Sequence, residues 1–133
     1  MQVRVFYEDT DFSHAVYHAN YLRFMERGRT NFLRLLGTDQ RALFAETDAR
    51  AAFVVRSMKI DFFKAAFMDD ILDIVTTPQE VRGASITLAQ ECRRGDDLLV
   101  TALVRVAFVT GGKAVRIPKA LRDAMEHKNG AGH

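Results

Sequence analysis

Asn20-Tyr21-Leu22-Arg23-Phe24-Met25-Glu26-Arg27-Gly28-Arg29-Thr30-Asn31-Phe32-Leu33-Arg34-Leu35-Leu36-Gly37 decides how the rest of the chain is read. Tyr21, Phe24, Met25, Gly28, Phe32, Leu35 and Leu36 recur at intervals of three and four, the period of a helix with a buried face. Asn20 is suited to cap the start of that helix and Gly37 to stop it. Arg23, Glu26, Arg27, Arg29, Asn31 and Arg34 fall mostly on other sides. Leu22 and Leu33 widen the apolar surface, so the helix is expected to be wrapped on more than one side and to lie at the centre of the fold. Gly28 in mid-helix costs about 1 kcal/mol against alanine, which points to close packing there, most simply by a strand crossing the helix.

Upstream, Val3, Val5 and Tyr7 alternate with Arg4, Phe6 and Glu8, as in a half-buried strand. Between strand and helix runs Glu8-Asp9-Thr10-Asp11-Phe12-Ser13-His14-Ala15-Val16-Tyr17-His18-Ala19-Asn20-Tyr21, with three carboxylates, two imidazoles, two phenols and an amide in fourteen residues. The first-turn N–H groups of the helix lack intrahelical acceptors and attract negative charge. A carboxylate and a histidine beside such an end suit hydrolysis: one activates water against a carbonyl while backbone amides receive the oxyanion.

Downstream of the helix the spacing predicts a short second helix over Asp39 to Ala49, capped by Thr38, and then strands. Phe53 to Phe63 places Val54, Met58, Ile60 and Phe62 on one face. Ile71 to Thr77 follows, running on to Val81 if Pro78 lies at an edge or bulge. Ser85 to Arg93, Leu98 to Val109 and Val115 to Ile117 complete the set, with hairpin turns at Arg82-Gly83-Ala84, Arg94-Gly95-Asp96-Asp97 and Thr110-Gly111-Gly112-Lys113. Val100, Ala102, Val104, Val106 and Phe108 share a face. Pro118 opens a terminal helix to about His127, and Lys128 to His133 are expected to fray. The order is that of an α+β domain in which one antiparallel sheet curls around one helix. The open edges of such a sheet are satisfied by pairing between subunits, so a homodimer is expected.

At 133 residues and 15.0 kDa the chain reads as one domain, residues 1–133, large enough to bury roughly two-thirds of its unfolded surface. The net charge is +2 and the basic residues are spread along the chain, which argues against a nucleic-acid footprint. Cys92 is the only cysteine. No intrachain disulfide is possible, a reducing compartment is the simpler expectation, and Cys92 reads as a small apolar strand residue. With no signal-like run at Met1-Gln2-Val3-Arg4-Val5 and no stretch approaching the ~20 apolar residues of a membrane span, the protein is expected in the cytoplasm.

Tyr7-Glu8-Asp9-Thr10-Asp11, Val16-Tyr17-His18-Ala19-Asn20-Tyr21 and Glu26-Arg27-Gly28-Arg29 together resemble the hotdog-fold acyl-CoA thioesterases of the 4-hydroxybenzoyl-CoA thioesterase family, in its Tol-Pal-associated, YbgC-like branch. Phe53-Val54-Val55-Arg56-Ser57, Asp69-Asp70, Gly83-Ala84-Ser85 and Val115-Arg116-Ile117-Pro118 extend the resemblance over nearly the whole chain. It implies a hotdog dimer with composite active sites at the subunit interface, often paired into tetramers, and no metal or redox cofactor. Asp11 matches the essential carboxylate, acting as nucleophile or as general base on water. His18 matches the second functional residue and stands where a helix-terminal N–H polarises the thioester carbonyl. Arg82 lies where basic residues contact coenzyme A phosphates. Tyr7, Tyr17 and Asn20 either orient the carboxylate and line the pocket or pack structurally.

Two departures stand out. His14 replaces a small residue, commonly glycine, three residues after Asp11, and Ala65 stands where proline is common. His14 narrows the acyl pocket, adds a proton-transfer group, or points to solvent, the last being the first expectation. The activity implied is hydrolysis of a short- to medium-chain or aromatic acyl-CoA to free acid and coenzyme A. The alternative is a non-catalytic hotdog dimer that binds acyl carrier protein or envelope and phospholipid-synthesis proteins. A dehydratase or hydratase reading is weaker, since those enzymes present a different histidine and carboxylate arrangement.

Overall fold

The computed structural model describes residues 1–39 and 52–131. The elements in chain order are β1 (Gln2–Arg4), a 3-10 turn (Tyr7–Asp9), α1 (His18–Asp39), β2 (Ala52–Phe62), β3 (Ile71–Arg82), β4 (Ser85–Arg94), β5 (Asp97–Thr110), β6 (Lys113–Ala114) and α2 (Lys119–Ala131). The short helix expected after Asp39 lies outside the described residues. One antiparallel sheet is formed in the order β1-β3-β4-β5-β2, with β6 folded back on β5. Among the described residues no helix is long and apolar enough to cross a membrane.

The apolar stripe of α1 is what the sheet closes over. Tyr21, Phe24 and Met25 are buried against Leu72 and Ile74 of β3, Cys92 of β4 and Val100 of β5. Leu36, one end of the same stripe, joins Leu88, Val104, Val106 and Phe108 and the buried Leu121 and Met125 of α2. Full burial of each large apolar side chain contributes about 1.5–3 kcal/mol. Gly28 is where helix and sheet meet most closely: a Cβ there would stand 2.5 Å from Ile74 Cγ2. The crossing strand expected from that glycine is β3. Val100, Ala102, Val104, Val106 and Phe108 share the inner face, as their alternation requires.

Several boundaries differ from the sequence expectation, each for a local reason. α1 begins at His18, not Asn20, because the Asn20 amide already donates to the Tyr17 carbonyl at 2.9 Å and winds the first turn. It also runs through Gly37 to Asp39, since glycine weakens a helix by only about 1 kcal/mol and does not by itself break one. The first strand ends at Arg4: Val5 is held by Asp70 and Asp69 backbone groups, and the chain then turns, leaving Tyr7 exposed. On β2, Val54 does not share the face of Met58, Ile60 and Phe62. Arg56 is an extra residue between the Val55–Val106 and Ser57–Arg105 pairs, and one bulged residue reverses the alternation, so Val55 takes the inner face instead.

β3 does run past Pro78, to Arg82, with a register shift between Pro78 and Glu80. Hairpins join β3 to β4, β4 to β5 and β5 to β6. They do not join β2 to β3, because β2 pairs with β5 across the sheet. The expected strand Val115 to Ile117 is not formed: the strand lies earlier, at Lys113–Ala114, although the Val115 and Ile117 amides still donate to Phe108 and Gly83 carbonyls at 2.9 and 3.0 Å. α2 reaches Ala131.

The two edges of the sheet are unequal. β1 offers three residues and β2 offers eleven. Val54, Val55 and Phe62 of β2 are each more than 40% exposed, an open strand with apolar side chains on both of its faces.

Candidate active site

The loop between β1 and α1 is closed on itself by backbone. Thr10 and Val16 form an isolated antiparallel bridge, the Asp11 amide donates to the Ala15 carbonyl at 2.9 Å, and the His14 amide donates to the Asp11 carbonyl at 3.0 Å. That tight return requires a left-handed residue, and His14 supplies it with φ 67°, a conformation that glycine adopts at far lower cost. The backbone thus accounts for glycine being common at this position in the family resembled. The His14 side chain is exposed, its ring 6.2 Å from that of Tyr7.

Asp11 is exposed, and its two oxygens are not equivalent. Oδ1 accepts the Ser13 amide at 2.8 Å and the Ser13 hydroxyl at 2.5 Å. Oδ2 has no hydrogen-bond partner among the described residues. The Ser13 hydroxyl, then the Ser13 amide, holds the Asp11 carboxyl below the ordinary carboxylate value of 3.8, so the group is ionised throughout the neutral range. An ionised carboxylate with one anchored and one free oxygen has the form of a base or nucleophile whose orientation is preset.

His18, two residues beyond the Thr10–Val16 bridge, is the first residue of α1. Its ring is exposed on one side and lies 4.7 Å from the ring of Phe62 and 6.5 Å from that of Tyr17. It makes no hydrogen bond with Asp11. His18, Val16, Tyr21, Phe62, Phe63, Lys64 and Ala65 line a cavity of about 220 Å³. His18, which lines it, is the first residue of α1, and no side chain accepts from the His18 or Ala19 amide among the described residues. The positive end of the helix is free to receive an anion or a polarised carbonyl oxygen.

Of the other candidates, Tyr7 and Tyr17 are largely exposed beside the loop. Asn20 does not face the cavity, since its amide nitrogen donates to Asp9 Oδ1 at 3.3 Å. Arg82 sits at the far end of β3 from the Asp11 loop, which is bonded to the Ala66 to Met68 segment just ahead of Ile71. A twelve-residue strand separates the two by roughly 35 Å at ~3.3 Å per residue. Arg82 is paired with Glu80 at 2.6 Å and is highly exposed. Within one chain the structure brings Asp11 and His18 to one end of the sheet and leaves Arg82 at the other.

Three residues to which the sequence assigned no role at the site hold this end together. Asp9 accepts the Phe6 amide at 2.9 Å through Oδ2 and Asn20 through Oδ1, while its carbonyl accepts the Tyr17 amide at 3.1 Å. Tyr21, buried at 2% exposure, accepts the Ala66 amide on its hydroxyl at 2.8 Å, and burial pushes its phenol above the ordinary value. Asp70 accepts the Phe67 amide and an Arg94 guanidinium N–H, both at 2.9 Å. The polar pattern of the loop marked Asp9 as one carboxylate among three. The Tyr21 and Asp70 partners lie about forty-five and twenty-four residues away in sequence, beyond any local signal. Burial pushes the Cys92 thiol up to about 12, which agrees with its reading as a small apolar strand residue.

A curled antiparallel sheet closed over one long helix, with an anchored carboxylate ahead of that helix's open N-terminus, defines a hotdog-type domain. The model of the thioesterase-like superfamily matches residues 5–125, and the chain belongs to that family. It is 45% identical over 127 residues to the acyl-CoA thioesterase YbgC of Haemophilus influenzae, covering 94% of this chain and 92% of that one. It is 44% identical over 98 residues to the acyl-CoA thioester hydrolase YbgC of Escherichia coli, covering 74% and 71%. Among solved structures, a probable thioesterase from Bartonella henselae superposes with a TM-score of 0.75 at 41% identity, covering 89% of this chain and 96% of that one.

Proposed function

We propose that this protein hydrolyses the thioester of a short- to medium-chain or aromatic acyl-CoA, releasing the free acid and coenzyme A. The observation that carries the reading is Asp11: a carboxylate kept ionised and oriented by Ser13, with Oδ2 free, in the loop that leads into the open start of α1. Family membership and the names of the similar proteins support the same chemistry.

Asp11 Oδ2 takes a proton from water as the water oxygen adds to the thioester carbonyl carbon. The carbonyl electron pair moves to oxygen and is held by the first-turn amides at His18, with the helix dipole behind them. Its return expels the thiolate, which takes up the proton, and the acid leaves. Direct attack by Oδ2 on the carbonyl, followed by hydrolysis of the anhydride, uses the same carboxylate and the same oxyanion donors. Neither route calls on a cofactor. The His18 imidazole faces the cavity and borders the reacting carbonyl.

The active unit is a homodimer paired through the open β2 edge, whose exposed apolar side chains run up to Phe62 at the cavity. Arg82 meets the coenzyme A phosphates from another subunit of a further assembly, since its own chain holds it at the opposite end of the sheet. A single reduced cysteine fits a cytoplasmic location.

Thiol release from acyl-CoAs of graded length plus one aromatic member tests the reading. Hydrolysis of at least one class, well above the rate without protein, is the expected result. Absence of thiol release from every member contradicts it.

A further inference from the structure

Two aromatic rings in edge contact, one buried and one exposed, border the cavity beside His18. Tyr21 is the buried one: it is packed edge-on to Phe24 at 6.3 Å and pinned by the Ala66 amide on its hydroxyl. Phe62 is the exposed one. It is the last residue of β2, 42% exposed, with its ring 4.7 Å from His18 and 5.7 Å from Tyr21, edge-on to the latter. No polar group of Phe62 restrains its rotamer, whereas Tyr21 must give up a buried hydrogen bond to move. The space that these two touching rings border together with Val16, His18 and the Phe63 to Ala65 segment, about 220 Å³, lies below the roughly 300–1,000 Å³ that encloses drug-sized ligands. It is large enough for a few carbons or a single ring.

We propose that Phe62 sets the length limit of the acyl group, closing the cavity against Tyr21 so that short or single-ring acyl groups are accepted and long chains are refused. The inference rests on the thioesterase reading and adds a specificity-determining residue to it. The side chain at position 62 determines how much space lies next to the carbonyl held at His18. Shrinking it to leucine or alanine opens the wall, and enlarging it to tryptophan closes it further. One methylene accommodated or refused in an apolar pocket changes kcat/KM by roughly tenfold or more.

The test is kcat/KM across straight-chain acyl-CoAs of increasing length for wild type, Phe62→Leu, Phe62→Ala and Phe62→Trp. Leu103→Ala serves as a control, because Leu103 is exposed on the opposite face of the sheet. The ratio of long-chain to short-chain kcat/KM is expected to rise at least tenfold in Phe62→Ala, less in Phe62→Leu, and to fall in Phe62→Trp, with the control unchanged. A merely structural role lowers all chain lengths together and moves no ratio. Unchanged ratios in variants that still turn over, or shifts of one sign for both smaller and larger side chains, overturn the proposal. If Phe62→Ala does not fold, the opposed shifts of Phe62→Leu and Phe62→Trp decide it. Lack of hydrolysis by wild type would instead overturn the thioesterase reading itself.

Discussion

Ser13 acts on Asp11 through two hydrogen bonds, and Gly28 acts by letting β3 approach. The Ser13 hydroxyl and amide stabilise the charged form of Asp11, which places its folded-state proton affinity below the ordinary value. A depressed carboxylate is ionised, and fit to act as base, down to a pH below 3.8, and it loses that charge only as pH falls through the lowered value. Ser13→Ala removes the hydroxyl, the largest cause. The Asp11 titration, followed by NMR at its side-chain carbon, is expected to move to higher pH in that variant, and an unmoved titration would contradict the assignment. Gly28 faces Ile74 across a gap with no room for a methyl group. Gly28→Ala gains about 1 kcal/mol of helix propensity and meets an overlap costing about 1–3 kcal/mol, so urea unfolding should show a net loss of roughly 1 kcal/mol. With Ile74→Ala in the same chain the two losses should be less than additive.

At the scale of elements, α1 is held to the sheet by a buried polar contact as well as by its apolar stripe. Gln90 of β4, 1% exposed, donates to the Met25 carbonyl at 2.9 Å and to Thr76 Oγ1 at 3.0 Å, and accepts from Arg29 at 3.0 Å. Gln90→Ala leaves a buried guanidinium and a helix carbonyl without these partners, and unfolding should show a loss of about 3 kcal/mol. Elements with a strong period were legible in the sequence: the stripe from Tyr21 to Leu36, the alternation from Val100 to Phe108, and the turns at Gly83, Gly95 and Gly111. What escaped was set by pairing across the sheet. A single extra residue at Arg56 reverses the faces of β2, yet nothing local distinguishes it, and the β2–β5 pairing joins residues far apart in sequence, from Phe62 with Val100 to Ala52 with Val109. The candidate site was legible only in so far as its residues lie in one loop. Asp11, His18 and the helix start were visible in one loop, while Tyr21, Phe62 and Asp70 enter only through long-range packing.

For the whole molecule, β2 is the longer of the two sheet edges among the described residues. The proposed pairing through it corresponds to a dimer of about 30 kDa, twice the 15.0 kDa chain. Val55→Lys places a charge in mid-edge and is expected to shift the sedimentation equilibrium toward monomer and to lower turnover with it. A variant that remains fully dimeric would place the interface elsewhere. Asp11 is proposed to perform the chemistry of a site otherwise built by the fold, and the decisive variant is Asp11→Asn. Turnover of the best acyl-CoA should be compared in wild type and variant, with unfolding temperature and sedimentation mass measured alongside. The account predicts a loss of about 10²–10⁴-fold in kcat, the contribution of a positioned base, with fold and mass unchanged. Near-normal turnover in a folded, assembled Asp11→Asn protein would contradict it.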